Sequence, residues 1–178
     1  IRDRDSLTAQ TCMLGSVMRA YEYMDVPGVD VLMEHNYCFW IVKQLQSAAR
    51  QLGKPWLLSE LYGATGWQFD FEGHKAVGDW QALFGINLRC HHLSWYSMQG
   101  EGKRDYPASI SYQSAWYPYY SYIEDYFARL HVLLSQGEPL CDLLIVYPVE
   151  SLWCRIYPKW SWQLQTLDPE VQKLEQIY

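Results

Sequence analysis

Apolar residues at Leu7, Leu14, Val17, Met18 and Tyr21 recur near helical spacing, which predicts a helix over 7–23. The turn signal Asp25-Val-Pro-Gly28 ends it. Residues 29–33 are a short run suited to a strand, and 38–52 return to helical periodicity before a stop at Gly53. The same alternation continues. Residues 54–60 read as a strand centred on 55–59, 74–84 as a helix stopped by Gly85, and 86–90 as the next strand, running on to His92. A polar loop over 93–114 leads into a long aromatic-rich helix over 115–136, closed by Gly137. The apolar run 142–147 predicts one more buried strand, centred on 143–147, and the tail closes on Asp168-Pro-Glu-Val, the start of a further helical unit.

Strands alternating with helices predict parallel neighbours joined by right-handed crossovers, with 29–33, 55–59 and 86–90 side by side in chain order. The expected class is α/β: the C-terminal part of a (β/α)8 barrel over 1–137, followed over 138–178 by the start of an α/β or β-rich domain. Such a barrel needs about 250 residues, so a chain of 178 residues supplies only part of one. An open doubly wound sheet shares the periodicity, but no G-x-G-x-x-G or G-x-x-x-x-G-K loop follows any strand, and nucleotide binding loses its main support.

Composition narrows the classes further. The chain is 49% hydrophobic and 19% charged, enough for one sizeable core. It opens on Ile1-Arg-Asp-Arg-Asp5, without the basic and apolar regions of a signal peptide, and reads as a piece of something larger whose compartment is not encoded here. No apolar run approaches the roughly 20 residues of a membrane span. A net charge of −6 opposes a nucleic-acid backbone, so neither membrane nor nucleic acid is an expected partner. Five cysteines with no C-x-x-C pair indicate neither a zinc site nor a disulfide scaffold. Aromatic content of 16%, with 9 Trp and 15 Tyr, suits stacking on sugar rings as well as cores and interfaces.

The candidate chemistry gathers at strand ends. Lys54-Pro-Trp-Leu-Leu-Ser-Glu60 delivers a carboxylate to the tip of a buried strand, followed by a loop bearing Gly66 and Trp67. A parallel β/α barrel presents a catalytic acid in this way. Glycoside hydrolysis places two carboxyl groups across the scissile bond, and Glu60 is the candidate for one of them. His91 and His92 end the next strand on the same rim as Glu60, where one of them is a candidate to hydrogen-bond a sugar hydroxyl; the rival reading, from strand alternation, is one inward core residue and one outward residue. Trp95 and Tyr96 beyond them are candidates for stacking on sugar, and Glu34, His35 and Asn36 close the earlier strand as a further rim element. Glu34, His35 and Glu60 are metal-ligand types without a spacing that demands a metal. Asp70 and Glu72, just before a helix, read as capping residues.

The run Ser59-Glu-Leu-Tyr-Gly63, then Gly78-Asp-Trp80, Gly85-Ile-Asn-Leu-Arg89 with His92, and Tyr126-Phe-Ala-Arg-Leu130 ahead of the helix end at Gly137 resemble the later barrel half of glycoside hydrolase family 106, the α-L-rhamnosidase type. The resemblance spans 8–153. It implies a modular carbohydrate-active enzyme of bacterial type, of which this chain is an incomplete part. Lys54 to Glu60 also resembles the seventh barrel strand of family 42 β-galactosidases, in which the Glu ending that strand is the nucleophile, and Leu144 to Trp153 resembles the start of the domain after their barrel. Inverting chemistry makes Glu60 a general base and retaining chemistry makes it a nucleophile. In the family 42 pattern the partner acid lies on an earlier strand, outside this chain. The implied partners are a carbohydrate substrate and the remaining domains of the parent chain. No cofactor is required, though a divalent cation such as calcium fits the intact enzyme. A noncatalytic carbohydrate-binding barrel is the alternative expectation.

Overall fold

The computed structural model describes residues 7–32, 39–101, 104–155 and 169–177. Helices α1 (Leu7–Leu14) and α2 (Val17–Ala20) replace the single helix predicted over 7–23. The break is at Gly15, whose φ of +75° leaves the helical region, and Ser16 restarts the helix by accepting from the Arg19 backbone N–H at 3.3 Å. A 3-10 turn at Tyr21–Tyr23 then leads to β1 (Gly28–Asp30).

Two crossover units follow: α3 (Phe39–Gln51) into β2 (Leu58–Leu61), and α4 (Phe71–Leu83) into β3 (Leu88–His91). The sheet order is β1-β2-β3 and both pairings are parallel, as the alternating pattern predicts. Gly28 faces Leu58 and Leu58 faces Leu88, so the register advances by 30 residues at each step. The strands are shorter than their apolar runs. Pro55 has no N–H to donate, and the Leu57 N–H goes to the Asn87 side chain at 2.8 Å, so ladder pairing in β2 starts only at Leu58. Gly53, Gly85 and Gly137 take φ of +65°, +95° and +84° at the predicted helix stops.

Among the described residues one face of the sheet is packed against helices and the other is less buried. Val29, Val31, Ser59 and Leu61 are buried toward the helices. There Val29 and Val31 join Ile41, Val42, Leu45 and Ala49 of α3, and Leu61 joins Val77 of α4. The alternate positions Asp30, Leu58, Glu60, Leu88 and Cys90 are half-buried or exposed. Helix α5 (Tyr120–Leu134), entered through a 3-10 turn at Tyr117–Tyr119, packs on α4 where Gly78 admits the Phe127 ring. Helices α6 (Val149–Trp153) and α7 (Pro169–Ile177) return to α1, where Leu7, Leu152 and Val171 form a second small core.

The expected barrel part is not what forms: among the described residues the sheet has three strands and does not continue past β3. The predicted fourth strand at 143–147 is irregular backbone, and Leu143, Leu144 and Ile145 are 78%, 84% and 67% exposed. An apolar run becomes a strand only where an edge offers ladder partners. After α5 the chain turns instead to α3 and α1. Arg50 of α3 donates to the Pro139 carbonyl and reaches the Cys141 sulfur, each at 3.1 Å, and the Tyr147 hydroxyl lies 3.4 Å from the Gln10 side chain of α1.

Candidate functional site

Glu60 is the third residue of the central strand, on the less buried face at the C-terminal end. Its carboxylate is 3.7 Å from Nε2 of His92, with the two side chains 36% and 28% exposed. That separation is ion-pair reach rather than a direct hydrogen bond. His92 is seated by close packing: a Cβ on Gly63 would come within 3.0 Å of the imidazole, so the glycine lets the ring lie against the loop after β2. The Tyr106 ring stands edge-on to His92, with centroids 5.6 Å apart, and is 58% exposed.

The rim is built from two loops tied together. Tyr62, Ala64 and Tyr106 have φ of +72°, +59° and +55°, conformations that side-chain-bearing residues seldom adopt. Such strain gathers where tertiary contacts over-determine the backbone. Here the Gly66 N–H donates to the Pro107 carbonyl at 2.8 Å, joining the β2 loop to the loop after β3. The second loop is pinned internally: Ile110 N–H to Leu93 carbonyl at 2.7 Å, Trp95 N–H to Ser109 Oγ at 3.0 Å, and Gln113 Nε2 to Trp95 carbonyl at 2.9 Å.

The residues predicted for the site divide. Glu60 and His92 meet. Trp67 is 42% exposed and packs edge-on against Trp95 at 5.2 Å, while Trp95 itself is buried and acts as a support. Tyr96 is 97% exposed, the most open ring on this loop. His91 points the other way. It lies behind the sheet, 3.4 Å from Glu124 of α5 and against the Tyr62 ring at 5.4 Å. Glu34, His35 and Asn36 lie outside the described residues. Tyr106 was not among the predicted residues, because its place against His92 comes from loop closure rather than from any local pattern.

Behind the sheet a separate polar network braces α4 and α5. Arg89 donates to Glu124 at 2.5 Å and to the Tyr62 hydroxyl at 3.2 Å, and its guanidinium lies 3.9 Å from the Phe127 ring centre. Half-burial of Glu124 opposes its ionisation, but hydrogen bonding from His91 and the charge of Arg89 outweigh it and hold the carboxyl at about 2. His74 is enclosed by Tyr62, Phe69, Phe71, Trp116 and Tyr120. Burial lowers its pKa to about 4, against the opposing pull of its hydrogen bond with the Asp70 carbonyl. Asp70 also caps α4, accepting from the Gly73 N–H at 3.0 Å, the capping role expected of it.

Among the described residues no group of three or more His, Cys, Asp or Glu is placed to hold a metal ion, and no helix is long and apolar enough to cross a membrane. Glu60 and His92 by themselves supply a carboxylate and an imidazole able to exchange a proton with a bound group, with the Tyr106 ring beside the imidazole. No protein-family model, no curated protein and no solved structure matches the chain.

Proposed function

We propose that this protein hydrolyses O-glycosidic bonds, with Glu60 acting on the anomeric centre as base or nucleophile. One observation carries the reading: Glu60 lies near the C-terminal end of the central parallel strand, on the less buried face of the sheet, 3.7 Å from His92, whose ring meets that of Tyr106. A carboxylate at a strand tip is well placed for glycosyl transfer to water, and exposed rings beside it suit the apolar face of a sugar. The resemblance to α-L-rhamnosidases and β-galactosidases supplies the sugar classes to try first. A noncatalytic carbohydrate-binding role is supported by the same exposed rings, Tyr96 above all.

The test is hydrolysis of a panel of nitrophenyl glycosides, beginning with the α-L-rhamnoside and the β-D-galactoside, by the full-length protein and its Glu60→Gln variant. Glutamine keeps the shape and removes the charge, so turnover should fall by at least about two orders of magnitude with the thermal midpoint preserved. A variant that loses stability yet turns over at the parent rate would strip Glu60 of the role. Sugar binding without turnover by the parent protein would favour the binding reading.

A further inference from the structure

We propose, resting on the glycosidase reading above, that Asp30 is the partner carboxylate of Glu60 and that the pair hydrolyses its substrate with retention of anomeric configuration. Asp30 is the register partner of Glu60 across β1 and β2. Parallel neighbours in register project to the same side of a sheet, and the burial alternation agrees. Val29, Ser59 and Leu61 are buried, whereas Asp30 and Glu60 share the less buried face. Adjacent strands lie about 4.8 Å apart. That strand spacing is close to the roughly 5–5.5 Å between the carboxyl groups of retaining glycosidases and short of the roughly 6.5–9.5 Å that inverting enzymes need to seat a water, which is the basis for proposing retention.

The step balances with these two groups and water alone. A Glu60 carboxylate oxygen attacks the anomeric carbon, the glycosidic C–O bond breaks, and the Asp30 proton passes to the departing oxygen. Water then attacks the same carbon and gives its proton to Asp30. The glycosyl ester breaks, restoring the Glu60 carboxylate and releasing the sugar as a hemiacetal. His92 stays beside Glu60 as a positioning residue throughout.

The experiment compares the full-length protein with Asp30→Asn and Glu60→Gln on one sugar carrying two leaving groups, dinitrophenol and a simple alcohol. A dinitrophenolate leaves without protonation, whereas an alkoxide does not. Asp30→Asn should therefore slow formation of the glycosyl-enzyme from the alkyl glycoside about a hundredfold or more, while leaving the pre-steady-state burst of dinitrophenol nearly intact. Glu60→Gln should abolish both, and proton NMR of the parent reaction should show the retained anomer first. The contrast is read within one folded sample, so a loss of stability cannot imitate it; Asp30→Ser with added azide, giving a glycosyl azide of retained configuration, serves if Asp30→Asn folds poorly. Equal losses on both leaving groups, no loss on either, or an inverted first product would overturn the pairing while leaving Glu60 in place. Absence of turnover by the parent protein across the glycoside panel would overturn the underlying hydrolase reading, and the pairing with it.

Discussion

A single imidazole makes this protein sensitive to acid from within. His74 is 1% exposed, and burial lowers its pKa from 6.5 to about 4, so the folded protein keeps it neutral where the unfolded chain would protonate it. Between those two values the unfolded state binds more protons, and stability falls as pH drops through that window. A shift of this size corresponds to about 3 kcal/mol in all, complete once pH is below the folded value. Glu124 acts in the same direction at lower pH. Its carboxyl is held at about 2, so its contribution is present above its ordinary value of 4.5 and is lost as pH falls toward 2. Urea unfolding across the acid range should show both steps. His74→Phe should flatten the upper one, and a slope unchanged by that substitution would place the titrating group elsewhere.

At the scale of elements, the contact between α4 and α5 depends on one missing side chain. A Cβ on Gly78 would meet the Phe127 ring at 2.2 Å, well inside van der Waals contact. Gly78→Ala gains about 1 kcal/mol of helix propensity and loses about 1–3 kcal/mol to overpacking, so destabilisation wins. Pairing it with Phe127→Leu should recover part of the loss, because leucine vacates the outer ring positions; additive losses in the double mutant would show that the two residues do not meet. Arg89 ties this helix pair to β3 through Glu124 and Tyr62. The strand and the residue after it thus serve both faces, with His91 bracing α5 and His92 facing Glu60.

The molecule as a whole carries an apolar run that its own fold does not absorb. Leu140, Leu143, Leu144 and Ile145 are 92%, 78%, 84% and 67% exposed, in a stretch whose composition favours strand. Contiguous exposed apolar surface binds hydrophobic dyes and promotes association. The protein should therefore enhance the fluorescence of anilinonaphthalene sulfonate in the native state, and Leu144→Lys with Ile145→Lys should lower that signal while leaving the unfolding free energy within about 0.5 kcal/mol of the parent. A native protein that leaves the dye dark would show this run to be covered.

Three β–α alternations, their parallel order, the glycine stops, the Asp70 cap and the placing of Glu60 at a strand end were all legible along the chain. All but the parallel order depend on residues within one turn or one strand of one another, where periodicity and turn chemistry act directly, and that order follows from the helical crossover between successive strands. The run at 143–147 has the composition of a buried strand, yet Arg50 and Gln10 lead the chain past α3 and α1, so no ladder forms and the barrel expectation fails. Tyr106 meets His92 because the Gly66 N–H closes one loop onto another. Asp30 stands beside Glu60 through register, and that register leaves a trace along the chain, since the two residues are separated by the same 30-residue step that relates Glu60 to Cys90. Hydrophobic pattern determines which side of a segment is buried; which residues then become neighbours is decided by strand pairing and loop closure, contacts between parts of the chain that no local pattern encodes.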